Sequence, residues 1–245
     1  MKIKQLLILL SAVLFFAFVK EAKASIVTIE KTGGVTVNVL SAEDSSAALQ
    51  SESLTVSSSS VEMGNADVPI SLLRKDGKYL LSVQGKNGEQ TFDVTSYKDR
   101  ILEIEERPQT RKISISLSDN QFVIEQSGVR AKTFYQINVE PQNSRITILT
   151  PSGYKFLSVL PGEAVNGLYN SNTITMLGVD RSIEISEDEK GNLYYGISGF
   201  KRVGIKDLYS FDAPVSAKIS AVNGEVMEIN QPVWLKILYL FTLQT

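Results

Sequence analysis

Residues 111–159 read RKISISLSDNQFVIEQSGVRAKTFYQINVEPQNSRITILTPSGYKFLSV. Ile113, Ile115 and Leu117 fall two apart, with Lys112, Ser114 and Ser116 alternating with them. A period of two sends one set of side chains to a buried face and the other to water, as a β-strand does. Ser118-Asp119-Asn120 is a turn signal, because Asp and Asn bond their own backbone and tolerate the left-handed region. Phe122 and Ile124 resume the pattern until Ser127-Gly128. AKTFYQINV follows as one strand carrying Tyr135, Ile137 and Val139, then the turn Pro141–Ser144, then Ile146 and Ile148. Pro151-Ser152-Gly153 separates these from Tyr154-Lys155-Phe156. The spacing predicts an antiparallel meander with one wet face. Its apolar face needs a cover from the rest of the chain, because a sheet must bury that face on another layer.

Outward from that run, residues 1–24 have the form of a secretory signal. Lys2 and Lys4 make a basic start, Leu6 to Val19 carry no charge, and Ala22-Lys23-Ala24 is an A-x-A pattern. Cleavage is expected between Ala24 and Ser25. The uncharged stretch is short for a span of about 20 residues. An extracytoplasmic location follows, secreted or in the cell envelope. Loss of Lys2, Lys4, Lys20, Lys23 and Glu21 takes the formal net charge from −2 to −5. A mildly acidic chain lacks the basic footprint of a nucleic-acid binder.

The chain holds no Cys and no His. That excludes disulfides, Cys-linked lipid, Ser-His-Asp and Cys-His catalysis, and zinc sites with N/S ligands. Hydrophobic packing must carry the stability.

Before the central run, Ile26–Ile29 and Val35–Val39 flank Gly33-Gly34 as a hairpin. Residues 41–60 are Ser-rich and read either as a linker or, over Ser53–Val61, as a polar strand. Strands are expected at Ile70–Leu73, Tyr79–Val83, Thr91–Val94 and Ile101–Glu105, with Asp76-Gly77 and Asn87-Gly88 as hairpin turns. After it, residues 161–169 place Ala164, Val165, Leu168 and Tyr169 on one stripe of a short helix, with Pro161 in its first turn. Strands return at Thr173–Leu177, Ser182–Ile185 and Leu193–Ile197, and a last hairpin turns at Asn223-Gly224. The expected fold class is mainly β with antiparallel sheets and one short helix near 161–169, α+β in the C-terminal unit. The division runs 25–106 for an N-terminal β region including the Ser-rich segment 41–60, and 107–245 for the central and C-terminal β unit with its apolar tail.

Four groups of residues invite a chemical reading. Glu103 and Glu105 share a strand face, as a glycosidase carboxylate pair would; a solvated strand face is the simpler reading. Ser152-Gly153-Tyr154-Lys155 and Ser198-Gly199-Phe200-Lys201 match S-x-x-K but lack its partner motifs, and read as two hairpin tips. Glu187-Asp188-Glu189 offers oxygens for Ca²⁺ without the spacing of a calcium loop. Gly85 to Gly88 lies between two strands, which does not suit a phosphate loop. No catalytic residue, cofactor or metal is assigned.

Val233-Trp234-Leu235-Lys236-Ile237-Leu238-Tyr239-Leu240-Phe241 is strongly apolar yet too short to span a bilayer. It is a buried terminal segment, an interfacial one anchored by Trp234 and Tyr239, or a docking peptide. Trp234, Leu238, Tyr239 and Phe241 are its candidate contacts with a membrane surface or an envelope protein. Just upstream, Val222-Asn223-Gly224-Glu225-Val226 resembles the C-terminal hairpin of PepSY-like modules, although its Asn directly precedes the Gly. The layout from Leu160 to Trp234 is similar to that of exported bacterial proteins of uncharacterised role. The resemblance implies an α+β unit with an antiparallel sheet and an envelope location, and carries over no catalytic residue. The expected function is a non-enzymatic cell-envelope or extracellular binding or structural module. The alternatives are a membrane-associated accessory or inhibitor-like PepSY-like module, and a carbohydrate-active enzyme built on Glu103 and Glu105.

Overall fold

The computed structural model describes residues 25–38, 61–63, 69–85, 88–106, 111–179, 181–205 and 209–235. The chain is mostly β, in two sheets. In chain order the strands are β1 (Val27–Ile29), β2 (Val35–Val37), β3 (Val61–Met63), β4 (Ile70–Lys75), β5 (Lys78–Gly85), β6 (Gly88–Asp93), β7 (Arg100–Ile104), β8 (Ile113–Ser118), β9 (Gln121–Gln126), β10 (Val129–Thr133), β11 (Gln136–Glu140), β12 (Arg145–Thr150) and β13 (Gly153–Phe156). Helix α1 (Pro161–Asn170) follows, then β14 (Met176–Leu177), β15 (Ser182–Glu187), β16 (Leu193–Ile205), β17 (Tyr209–Ser220) and β18 (Val226–Asn230). The larger sheet runs β18-β17-β16-β15-β10-β9-β8-β7-β1-β2-β3, with β14 also on β16; the smaller runs β13-β12-β11-β4-β5-β6. Most pairings are antiparallel, but β1 with β7 and β10 with β15 are parallel.

The central run does form strands, but not one meander. β8, β9 and β10 pair in the large sheet, and β11, β12 and β13 in the small one. The stretch expected as one strand, AKTFYQINV, breaks at Phe134-Tyr135, where the chain crosses between sheets. Alternation on either side of the break is in phase with burial: Ala131 and Thr133 are buried before it, Ile137 and Val139 after it. Periodicity therefore shows which faces are apolar but not that the faces belong to two layers. Tyr79 of β5 and Phe122 of β9 meet edge to face, centroids 5.3 Å apart, joining the layers. The Tyr79 hydroxyl donates to the Asn120 carbonyl.

Turn chemistry sets the register. Asp76-Gly77, Asp119-Asn120 and Ser127-Gly128 all have positive φ at both central positions, the condition for a two-residue turn whose twist matches the strands it joins. In β7 the register skips Ile101, a bulge that lets Ile101 and Leu102 both lie fully buried. Strands from both sides of residue 106 share the small sheet, where β4 pairs with β11 from Ile70↔Val139 to Leu72↔Ile137. The Ser-rich segment 41–60 lies outside the described residues, and so do residues 1–24.

α1 begins at Pro161, whose missing N–H is harmless in a first turn. Glu163 accepts the Leu160 N–H at 2.9 Å, half of a capping box. Ala164, Val165 and Leu168 are buried as the stripe predicts, but Tyr169 is exposed, its hydroxyl accepting the Leu177 N–H at 3.2 Å. α1 packs on β9, β10 and β16. Buried Gln126, at the end of β9, accepts the Gly162 N–H at 3.0 Å. A Cβ on Gly162 would lie 2.8 Å from Gln126 Oε1 and 3.1 Å from the Gln126 carbonyl, so this glycine permits close approach.

β16 and β17 form the longest hairpin, paired from Tyr194↔Ser220 to Ile205↔Tyr209. Sequence reading placed no strand in the middle of this element, between Ile197 and Ala213. Conversely, the strand expected over Thr173–Leu177 is reduced to Met176–Leu177. The Asn223-Gly224 turn is present, with Gly224 at φ 77.

Candidate functional site at the C-terminal hairpin

The sequence-predicted sites separate in space and in character. Glu103 pairs with Arg100 at 2.9 Å and Lys112 at 2.7 Å, its side chain 19% exposed. Glu105, just past β7, accepts the Lys31 N–H at 3.4 Å. The two carboxylates therefore sit in different settings, Glu103 neutralised by two cations. Ser152 is in the turn between β12 and β13, as expected of a hairpin tip. Ser198 is not: it lies mid-strand in β16 opposite Ser216. The two S-x-x-K segments are thus unlike in structure, because Gly199 serves packing rather than a turn. Its Cβ would fall 2.6 Å from the Met176 carbonyl.

Glu187 accepts from both Ser152, at its hydroxyl and N–H, and the Thr150 hydroxyl (2.6 Å). This ties the β12–β13 hairpin of the small sheet to the end of β15 in the large one. The Ser152 and Thr150 hydroxyls hold its carboxyl below the usual 4.5. Asp188 accepts from Asn192 and Lys190 within its own turn, and those bonds lower its carboxyl as well, Asn192 foremost. Among the described residues no cluster of three or more acidic, His or Cys side chains is placed to hold a metal ion.

Ser25 is half-buried and its hydroxyl lies 2.9 Å from that of Thr28. Trp234 is 43% exposed and packs on Phe211 at 5.2 Å, while the next residue, Leu235, is fully buried. Ala24, Leu238, Tyr239 and Phe241 lie outside the described residues. No helix among the described residues is long and apolar enough to cross a membrane.

The most unusual surface lies at β18, which sequence reading assigned only as the returning strand of a hairpin. β18 ends the large sheet, and all five of its residues are exposed. Ile229 pairs with Ala217 and Val226 with Ile219, and Ala217 and Ile219 are both buried on the core side. Directly opposed residues share a face. Val226 and Ile229 therefore continue the core-facing surface one strand beyond its cover, 45% and 40% exposed. The register shift leaves Met227 as the extra residue of a bulge. The signal in the sequence was Val226-Met227 side by side, which breaks alternation and puts apolar surface on both faces of a last strand.

Eight of the twelve large hydrophobic residues exposed among the described residues are Met176, Val179, Val222, Val226, Met227, Ile229, Val233 and Trp234. They lie on or near this hairpin, its exit and β14, but on both faces of the sheet: Val226 and Ile229 on the core side, Met176 on the outer side. Two cross-strand ion pairs brace β17 against its two neighbours, one to β18 and one to β16. Lys218 meets Glu228 at 2.7 Å, and Arg202 holds Asp212 at 2.9 and 3.2 Å through two nitrogens. Each pair pushes its base up and its acid down. Pro214 and Pro232 flank the point where the β17–β18 ladder stops, at Ser216↔Asn230; proline has no N–H to extend it.

Comparison with protein-family models, curated proteins and solved structures finds no match to this chain.

Proposed function

We propose that the protein is an exported, non-enzymatic binding module of the cell envelope or extracellular space, and that it engages its partner through the C-terminal hairpin. The observation that carries this reading is the uncovered continuation of the core face on β18, Val226 and Ile229 beside buried Ile219 and Ala217. Exposed apolar side chains that continue a core face are the kind of surface that marks an interaction site on a folded protein, and an end strand can accept a further strand. Export rests on the secretory pattern of residues 1–24. The non-enzymatic reading rests on the missing Cys and His and on Glu103, whose charge Arg100 and Lys112 occupy.

A second reading, a membrane-associated accessory module of the PepSY-like kind, is favoured by one observation. Val233 and Trp234 are 71% and 43% exposed side by side, the residue chemistry of an interfacial anchor.

Fractionation of the host into medium, envelope and cytoplasm tests the proposal, with the N-terminus of the recovered protein sequenced. The wild type is expected outside the cytoplasm, beginning at Ser25, and held by the envelope. The double variant Val226→Asn/Ile229→Asn is expected to be released from it while still folded. Cytoplasmic recovery, or equal retention of the variant, contradicts the proposal. Retention of both through a carbonate wash, lost on Trp234→Ser, favours the membrane reading.

A further inference from the structure

The opposite face of the same strands carries a second feature, independent of the apolar patch on β18. Antiparallel partners and residues two apart share a face, so pairing alone defines two adjacent rows on the outer side of the large sheet. One row is Met176, Phe200 and Pro214, from Met176↔Phe200 and Phe200↔Pro214. The next is Ser198, Ser216 and Asn230, from Ser198↔Ser216 and Ser216↔Asn230. The first row is apolar and ringed; the second is hydroxyl, hydroxyl and amide. Phe200, Pro214, Ser198, Ser216 and Asn230 of these rows, with Val179 and Gln231-Pro232 beside them, line a depression of about 530 Å³, within the usual range for small-ligand sites.

Three facts restrict what fits. First, the polar groups are unspent. The Ser198 and Ser216 hydroxyls and the Gln231 amide make no side-chain hydrogen bond among the described residues, and Asn230 uses only its NH₂, donating to Glu228 at 2.8 Å. Second, the charges on either side are consumed. The Lys218–Glu228 pair lies one row to one side and the Arg202–Asp212 pair one row to the other, about 20 Å apart along β16 at the usual rise per residue. A charged ligand finds no free counter-charge in this floor and would lose hydration for nothing. Third, β16 is paired on both edges at Gly199 and Phe200, by β14 and β17, and β17 beyond the end of the β18 ladder presents Pro214, which has no N–H, so the floor is poorly suited to an added peptide strand.

We infer that this trough binds a neutral saccharide, one face of a pyranose ring resting on the Phe200–Pro214 row and its hydroxyls bonding Ser198, Ser216, Asn230 and Gln231. A pyranose has the required division: C–H groups on its faces and hydroxyls, each both donor and acceptor, at its rim. The small side chains of Ser198 and Ser216 create the depth, and Gly178, whose N–H donates to the Ser198 carbonyl at 3.1 Å, keeps its wall low.

The test is titration of the protein purified from its host with maltotetraose and with chitotetraose, two neutral oligosaccharides, followed by calorimetry and amide chemical shifts. At least one is expected to bind, with shifts centred on residues 176–179, 198–200, 214–216 and 230–232. Ser216→Val removes one hydroxyl while suiting a strand, and is expected to weaken binding about three- to tenfold. Ser198→Val serves as the second such variant, and Ser71→Val, on the other sheet, as the neutral control. No response to either sugar, shifts centred elsewhere, or unchanged affinity in both folded variants overturns the inference. So does a response confined to phosphatidylcholine vesicles. Because Val226 and Ile229 face the other side, release of the Val226→Asn/Ile229→Asn variant from the envelope can fail while sugar binding succeeds, and the reverse.

Discussion

Two residues show how single side chains hold this fold. Phe122 is fully buried and meets Tyr79 across the layers, so Phe122→Ala opens a cavity where the two sheets join. A loss of about 3–5 kcal/mol is expected, read as a lower urea midpoint with an unchanged denaturant slope; a loss below about 1 kcal/mol would mean the joint is not there. Gly199 acts by absence. Any Cβ would press on the Met176 carbonyl at 2.6 Å, so Gly199→Ala must displace β14 from β16. The expected cost is about 1–3 kcal/mol, with faster amide exchange at Leu177 and Gly178 that Ser198→Ala does not reproduce. Neither role was legible in the sequence. Phe122 read as a core residue, but the identity of its partner 43 positions earlier depends on the layering. Gly199 read as a turn glycine, because a mid-strand close approach and a turn leave the same letter.

At the scale of elements, a polar tie from Gln126 helps hold α1 and another from Glu187 the β12–β13 hairpin. Gln126→Ala would leave the Gly162 N–H buried without its acceptor. A buried unpaired donor costs about 1–3 kcal/mol, and α1 amides should exchange sooner than those of β9. Glu187 ties the β12–β13 hairpin to β15, and its carboxyl is held low chiefly by the Ser152 hydroxyl and then by Thr150. A depressed acid contributes stability above its unfolded value and loses it as pH falls through the folded one. The tie is therefore whole at neutral pH and weakens below the usual 4.5. Exchange at Tyr154–Phe156, relative to the intrinsic rate, should rise as pH drops below that value in the wild type. It should be raised and nearly flat with pH in Glu187→Gln. Elements themselves were largely legible. The three two-residue turns, the stripe of α1 and the strands from Ile70 to Ile104 follow from local chemistry. The long β16–β17 hairpin was not, because Lys201 to Asp212 mixes charge and apolar residues without clean alternation. Its far part is braced by the Arg202–Asp212 pair.

For the whole molecule, pairing of β4 with β11 and of β1 with β7 makes distant segments mutually dependent. What periodicity left open was how many layers the apolar faces belong to, because alternation is a local property and layering is a long-range one. The same limit hid the uncovered end of the large sheet: β18 reads as an ordinary returning strand until its place at the sheet's end leaves Val226 and Ile229 exposed. The most direct test of a binding role for that end is photo-crosslinking in the living host, with the reactive residue placed at Ile229 and, as control, at Tyr154 on the small sheet, itself 64% exposed. The account predicts a discrete adduct from position 229 and none from 154. Adducts from both positions alike, or from 154 alone, would contradict it.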